Sequence, residues 1–193
     1  MSTLSQERIV TPEEVEEKVV AAVEHALDLD PGQVKPESSL TEDLGAESLD
    51  FLDIAFNLER EFNVQLPRLD ILQRATDHFG EDTLVKDGVV TERGLDLLRK
   101  GMPEIDPARF RPGLKATEVA AMFNVATFVR IILRLLEAKR ELPRECPKCG
   151  KTMIESEVTP ELVCESCDES VPMPTGDEIL LRDIISLDTA LDR

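Results

Sequence analysis

Apolar residues recur every four positions near the start of the chain, at Val15, Val19, Val23 and Leu27, with Glu16, Glu17 and Glu24 among the positions between them. That period predicts an amphipathic helix over residues 11–29, with Thr11 as its cap, Pro12 at its first position and Glu13 and Glu14 in its first turn. Asp30-Pro31-Gly32 breaks the pattern, and residues 33–45 carry turn formers without a helical period, which predicts a long structured loop. The period returns at Ser48. Ile54, Leu58 and Phe62 fall at steps of four, flanked by Phe51 and Ala55, until Asn63 and Pro67 end a second helix.

Beyond Pro67 the pattern is more broken. A short helix is expected over residues 69–78, then a strand end at Val89-Val90 running into a helix over 92–100 capped by Thr91. Gly101, Pro103, Pro107, Pro112 and Gly113 mark turns at the far end of a folded insertion. A short helix over 117–123 follows, and Asn124 caps a long one over 125–139, in which Phe128, Ile132 and Leu135 share a face. Leu142-Pro143 closes that helix. Pro174-Thr175-Gly176 leads into a last amphipathic helix over 177–191, through Ile179, Leu180, Ile184 and Leu187.

Charge sharpens this picture. The 193 residues include 40 acidic and 22 basic side chains, a net charge of −18. Residues 1–67 hold sixteen acids and four bases, so about two thirds of that charge lies in the first third of the chain. Such a surface repels nucleic-acid phosphates and anionic lipids and attracts basic proteins. No apolar run reaches the roughly 18 residues of a membrane span, and the acidic start lacks a secretory signal pattern, so a soluble cytoplasmic protein is expected.

The chemistry concentrates in two places. Asp43-Leu44-Gly45-Ala46-Glu47-Ser48-Leu49-Asp50 resembles the phosphopantetheine attachment site of acyl carrier proteins. The resemblance extends back through the first helix, forward through Leu58-Glu59-Arg60-Glu61-Phe62 to Leu66-Pro67, and again over residues 124–132, about half the chain in all. It implies a four-helix carrier fold with Ser48 at the mouth of the second helix, bearing 4'-phosphopantetheine and an acyl cargo as its thioester. A helix N-terminus suits that placement, because unpaired N–H groups and a positive dipole end favour a phosphodiester beside the hydroxyl. Such a protein is a carrier and not an enzyme. It would serve fatty-acid, polyketide or related biosynthesis, and its partners would be a phosphopantetheinyl transferase and acyl-loading and acyl-processing enzymes with basic docking surfaces. An unmodified carrier fold acting as a scaffold is the alternative. Aminoacyl or peptidyl carriers usually show glycine where Glu47 stands. A hydrolase serine fits poorly, since the histidines are His25 and His78 and no Gly-x-Ser-x-Gly turn occurs.

Glu47 replaces the aspartate usual before the serine, and Arg60 interrupts a helix stretch that is often uniformly acidic. The expected docking residues are Glu47, Leu49, Asp50, Leu52, Asp53, Phe56 and Glu59, a charged rim around an apolar centre. The carboxylates could equally be a solvated helix face, and Leu52 and Phe56 could be core.

Cys146, Cys149, Cys164 and Cys167 form two Cys-x-x-Cys pairs with 14 residues between them. In a chain expected to be cytoplasmic this spacing favours a metal over disulfides. It resembles a zinc ribbon, two knuckles bringing four thiolates into a tetrahedron, with a hairpin turning around residues 157–160; rubredoxin-like iron is the competing metal. The module is rich in Glu and Asp, which disfavours nucleic acid. It would staple the local fold, dock a partner, or do both. The expected architecture is therefore mainly α: a carrier domain over 1–143 with an insertion at about 68–113, a small β zinc ribbon over 144–173, and a C-terminal helix over 174–193.

Overall fold

In the computed structural model, which describes residues 10–68, 71–156 and 158–191, the first helix α1 runs Pro12–Ala26. The Thr11 hydroxyl accepts the Glu14 N–H at 3.2 Å, and the Glu14 carboxylate accepts the Thr11 N–H at 3.1 Å, a reciprocal cap that satisfies two N-terminal donors. The helix stops short of residue 29 because Asp28 adopts φ 52°, which lets the Leu29 N–H close back on the Glu24 carbonyl. Val15, Val19 and Val23 are fully buried, as their spacing predicts.

The second helix, α2, spans Ser48–Phe62 and buries Ile54, Leu58 and Phe62 before Asn63 ends it in a left-handed conformation. The loop between α1 and α2 is anchored by Leu40, which is fully buried and donates its N–H to the Phe123 carbonyl. After α2 come α3 (Ile71–Phe79), the two-residue strands β1 (Val85–Lys86) and β2 (Val89–Val90), and α4 (Glu92–Gly101), capped by Thr91. The hairpin turns at Asp87-Gly88, both at positive φ; this dipeptide is a strong hairpin signal that accounts for the strand β1, beyond the sequence expectation.

A 3-10 turn at Pro107–Arg109 leads to α5 (Ala116–Val119) with a 3-10 continuation at Ala120–Met122, and then to α6 (Val125–Arg140). The Asn124 side chain accepts the Thr127 N–H and caps α6. Val125, Phe128, Ile131, Ile132 and Leu135 are buried along it. α1 packs on both α2 and α6, so these three helices and the short α5 form the expected four-helix carrier bundle around one apolar core.

The cysteine module is a three-stranded antiparallel sheet of β3 (Ile154–Glu155), β4 (Glu161–Val163) and β5 (Ser170–Pro172), with β4 central. The last helix, α7 (Gly176–Leu191), returns to pack on α3, α4 and α6. Leu181, Ile184, Leu187 and Leu191 lie against a small core of Ala75, Leu84 and Leu97, so α7 covers the apolar face that α3 and α4 would otherwise leave open. Ion pairs of Arg93 with Asp188 and of Arg134 with Asp183 flank that contact. Among the described residues no helix is long and apolar enough to cross a membrane.

Candidate functional site

Ser48 is exposed and occupies the first position of α2, directly after the cap residue Glu47. What holds it there is the motif around it. Asp43 accepts the Ser39 N–H at 2.8 Å, the Ser39 hydroxyl accepts the Glu42 N–H, and the Ala46 N–H reaches the Leu40 carbonyl at 2.8 Å, so the turn before the helix is fixed by its own bonds. Gly45 sits at φ 71°, a backbone that side chains other than glycine adopt at a cost. Asp50 accepts the Glu47 N–H at 2.7 Å, closing the helix start from the other side. Among the described residues, neither the Ser48 hydroxyl nor the N–H groups of Ser48 and Leu49 have a hydrogen-bond partner. An exposed hydroxyl beside two unengaged donors, at the positive end of a fifteen-residue helix, is a fitting seat for a phosphodiester.

Two clefts meet at this serine. One is lined by Phe51, Leu52, Phe56, Pro67, Phe128 and Ile131, an apolar channel between α2 and α6. The other lies against Thr41, Leu49, Ala120 and Ala121. Around them Leu49, Leu52 and Phe56 are 77%, 66% and 61% exposed, so all three lie outside the core, and Glu47 and Asp53 are exposed beside them. Asp50 and Glu59 differ from Asp53 in being half-buried and internally engaged. Asp50 serves the helix start, and Glu59 accepts the Leu66 N–H at 2.8 Å, fixing the chain as it leaves α2.

The four cysteines come together at one end of the small sheet. Their sulfurs lie within 4.8 Å of one another, with 3.6 Å between Cys146 and Cys167 and 3.5 Å from Cys149 to each of Cys164 and Cys167. Four thiolates about 2.3 Å from a central tetrahedral zinc would stand about 3.8 Å apart, so the cluster has the dimensions of such a site. Each pair sits on the same kind of turn: Gly150 follows one and Asp168 the other, both at positive φ, and the Gly150 and Asp168 N–H groups return to the carbonyls of Cys146 and Cys164. Burial opposes ionisation of Cys146, but backbone N–H groups of Cys149 and Lys148 outweigh it and bring the thiol down to about 7. Cys167 has the help of the Glu169 N–H, yet burial and the neighbouring thiols push it up to about 12. A bound cation would displace the remaining protons and be held by four thiolates.

The sequence reading missed how the sheet meets the bundle. Glu155 on β3 pairs with Lys139 near the end of α6 at 2.7 Å and accepts from the Asn63 amide, at the end of α2, at 2.9 Å. On the other side of the module the Gly176 N–H donates to the Gln65 carbonyl at 2.7 Å. These bonds set the turn between β3 and β4 beside the last turns of α2, where Val158 is 90% exposed. An apolar residue in an otherwise polar turn, Ser156-Glu157-Val158-Thr159, was the available signal.

Residues 17–76 match the family model for a phosphopantetheine attachment site, a match that runs past Pro67 into α3. An acyl carrier protein from Chlorobium phaeobacteroides is 36% identical over 77 residues, which is 40% of this chain and 99% of the relative. One from Chlorobium phaeovibrioides is similar to the same degree, and one from Thermosynechococcus vestitus is 48% identical over 54 residues, 28% of this chain and 67% of that protein. No solved structure matches the chain.

Proposed function

Since the chain belongs to the acyl carrier protein family, we propose that it carries acyl groups as thioesters on a 4'-phosphopantetheine arm attached to Ser48, for fatty-acid, polyketide or related biosynthesis. The observation that carries the reading is the exposed, unengaged Ser48 hydroxyl at the first position of α2, inside a turn whose own bonds hold it open. The arm supplies a thiol on a flexible tether, and the thiol holds the cargo at high effective concentration near successive enzyme sites. The chain itself presents the serine, places helix N–H groups beside the phosphodiester and offers an acidic, partly apolar face for docking. Glu47, Leu49, Leu52, Asp53 and Phe56 form that face; Asp50 and Glu59 belong to it while also holding the local backbone. Basic surfaces on a phosphopantetheinyl transferase and on acyl-processing enzymes complement it, in a cytoplasmic setting. No catalytic role of its own is assigned to the chain.

In the same reading Cys146, Cys149, Cys164 and Cys167 bind zinc, supported by the sulfur spacing and the paired turns. The working division is a carrier unit over 1–143 with its insertion, a ribbon over 144–173, and a C-terminal segment whose helix closes the insertion. The deciding experiment is intact-mass analysis after incubation with coenzyme A and a phosphopantetheinyl transferase. One added phosphopantetheine, mapped to the peptide bearing Ser48, is the expected result, and an unmodified chain would leave only the scaffold reading. Metal analysis of the same protein should return one zinc per chain; one iron would replace zinc with a rubredoxin-type centre.

A further inference from the structure

The ribbon is set against α2, the helix that follows Ser48. A groove of ≈ 690 Å³ runs between them, with Phe56, Glu59, Arg60 and Asn63 on the α2 wall and Val158 and Pro160 on the ribbon wall. Its two most exposed apolar groups, Phe56 and Val158, come from opposite walls, and Phe56 continues the line of Leu52 and Leu49 along α2 toward Ser48. Three large apolar side chains left in water along one face of α2, with a fourth across the groove from them, are more than scattered exposure requires. The junction is fixed by the Glu155 bonds to Lys139 and Asn63, so the two walls hold their spacing before anything binds.

Charge says what fits there. The start of α2 carries Glu47, Asp50 and Asp53, whereas the groove end carries Arg60, which is exposed and makes no ion pair among the described residues. A partner with basic groups along its whole contact face would be repelled at that lip; one with a carboxylate at that point would be selected.

Resting on the carrier reading of Ser48, we propose that the β3–β4 turn and the last two turns of α2 form one recognition surface for a dedicated acyl-processing enzyme. That partner places an apolar side chain in the groove, basic groups against the acidic start of α2 and a carboxylate against Arg60. The ribbon thereby lengthens the docking face and narrows the set of enzymes that can use it. It does so from residues that a transferase acting at Ser48 need not touch.

The test uses the full chain, produced in its host with a photoreactive amino acid at position 158 or, in a second preparation, at position 52. The two positions should crosslink to the same enzyme, and Arg60→Glu should lower both yields by roughly fivefold, the scale of one interface contact worth about 1 kcal/mol. Different proteins captured at the two positions, yields indifferent to Arg60→Glu, or capture of a second copy of this chain would each overturn the proposal. Val158 and Arg60 are exposed, so neither change threatens folding. Loading of Ser48 is read by mass in the position-158 sample, whose changed residue lies outside the face offered to the transferase: its absence removes the carrier reading, and a loaded chain whose crosslinks diverge removes only the shared surface.

Discussion

Ser48 takes the first helical position, and the cap belongs to Glu47, so the hydroxyl contributes little to the helix. Ser48→Ala is therefore expected to abolish phosphopantetheine loading while changing stability by no more than about 0.5 kcal/mol, the usual range for a surface substitution. Intact mass and a thermal melt check both halves, and a mutant that still loads would displace Ser48 as the site. Reversing Asp50 and Asp53 to lysine should slow loading, and more at low salt than at high salt, because screening weakens steering between exposed charges. Asp53 alone should give most of the kinetic effect, as Asp50 also holds the helix start; rates that ignore salt would count against an acidic docking face. At the junction, burial raises the Glu155 pKa, but Lys139 and Asn63 outweigh it and hold the carboxyl below its ordinary 4.5. A depressed folded pKa means the contribution is full above pH 4.5 and fades as the pH falls below it toward the folded value. Protection of the β3 amides, taken relative to the intrinsic exchange rate at each pH, should fall in that window in the wild type, and Glu155→Gln should make the protection independent of pH there.

Two glycines show how elements were brought together. A Cβ on Gly176 would lie 2.3 Å from the Pro67 nitrogen, a backbone atom that cannot move aside, whereas one on Gly101 would lie 3.6 Å from Leu187 in ordinary contact. Gly101 ends α4 and borders an apolar pocket of ≈ 70 Å³ shared with α6 and α7. Gly176→Ala should cost about 1–3 kcal/mol by forcing the start of α7 off the α2 exit. Gly101→Ala should instead stabilise by about 0.5–1 kcal/mol, through helix propensity and a less free unfolded chain. Denaturant titrations of both variants test this, and equal effects would mean that α7 does not meet Pro67 as closely as described.

At the scale of the whole molecule the question is how far the metal site supports the rest. A module of about thirty residues has too little core to fold alone, so its metal-binding free energy is folding free energy. A strong chelator, or Cys146→Ser with Cys149→Ser, should unfold residues 144–173 and leave Ser48 loadable. The bundle keeps its own core of α1, α2 and α6. The Glu155 and Gly176 contacts add a consequence: crosslinking at position 158 should vanish, and α7 should exchange faster while α1 does not. Loss of loading on metal removal would show instead that the bundle depends on the ribbon.

The sequence by itself determined the periodic helices, their caps and the two chemical motifs, because each is written in residues close together along the chain. The valines of α1, the Asn124 cap, the turn before Ser48 and the two Cys-x-x-Cys turns all rest on bonds within a few residues. The strand β5 and the early end of α1 were less legible, since Ser170–Pro172 pairs only once β4 is in place and Asp28 has no glycine to mark its turn. What only the tertiary structure decided is where the pieces meet. Partners 109 residues apart, such as Arg68 and Asp177, or 92 apart, such as Asn63 and Glu155, leave no periodic trace in either segment. The covering of the insertion by α7 and the placing of Val158 beside Phe56 therefore follow from long-range burial and a few polar contacts, which local pattern does not encode.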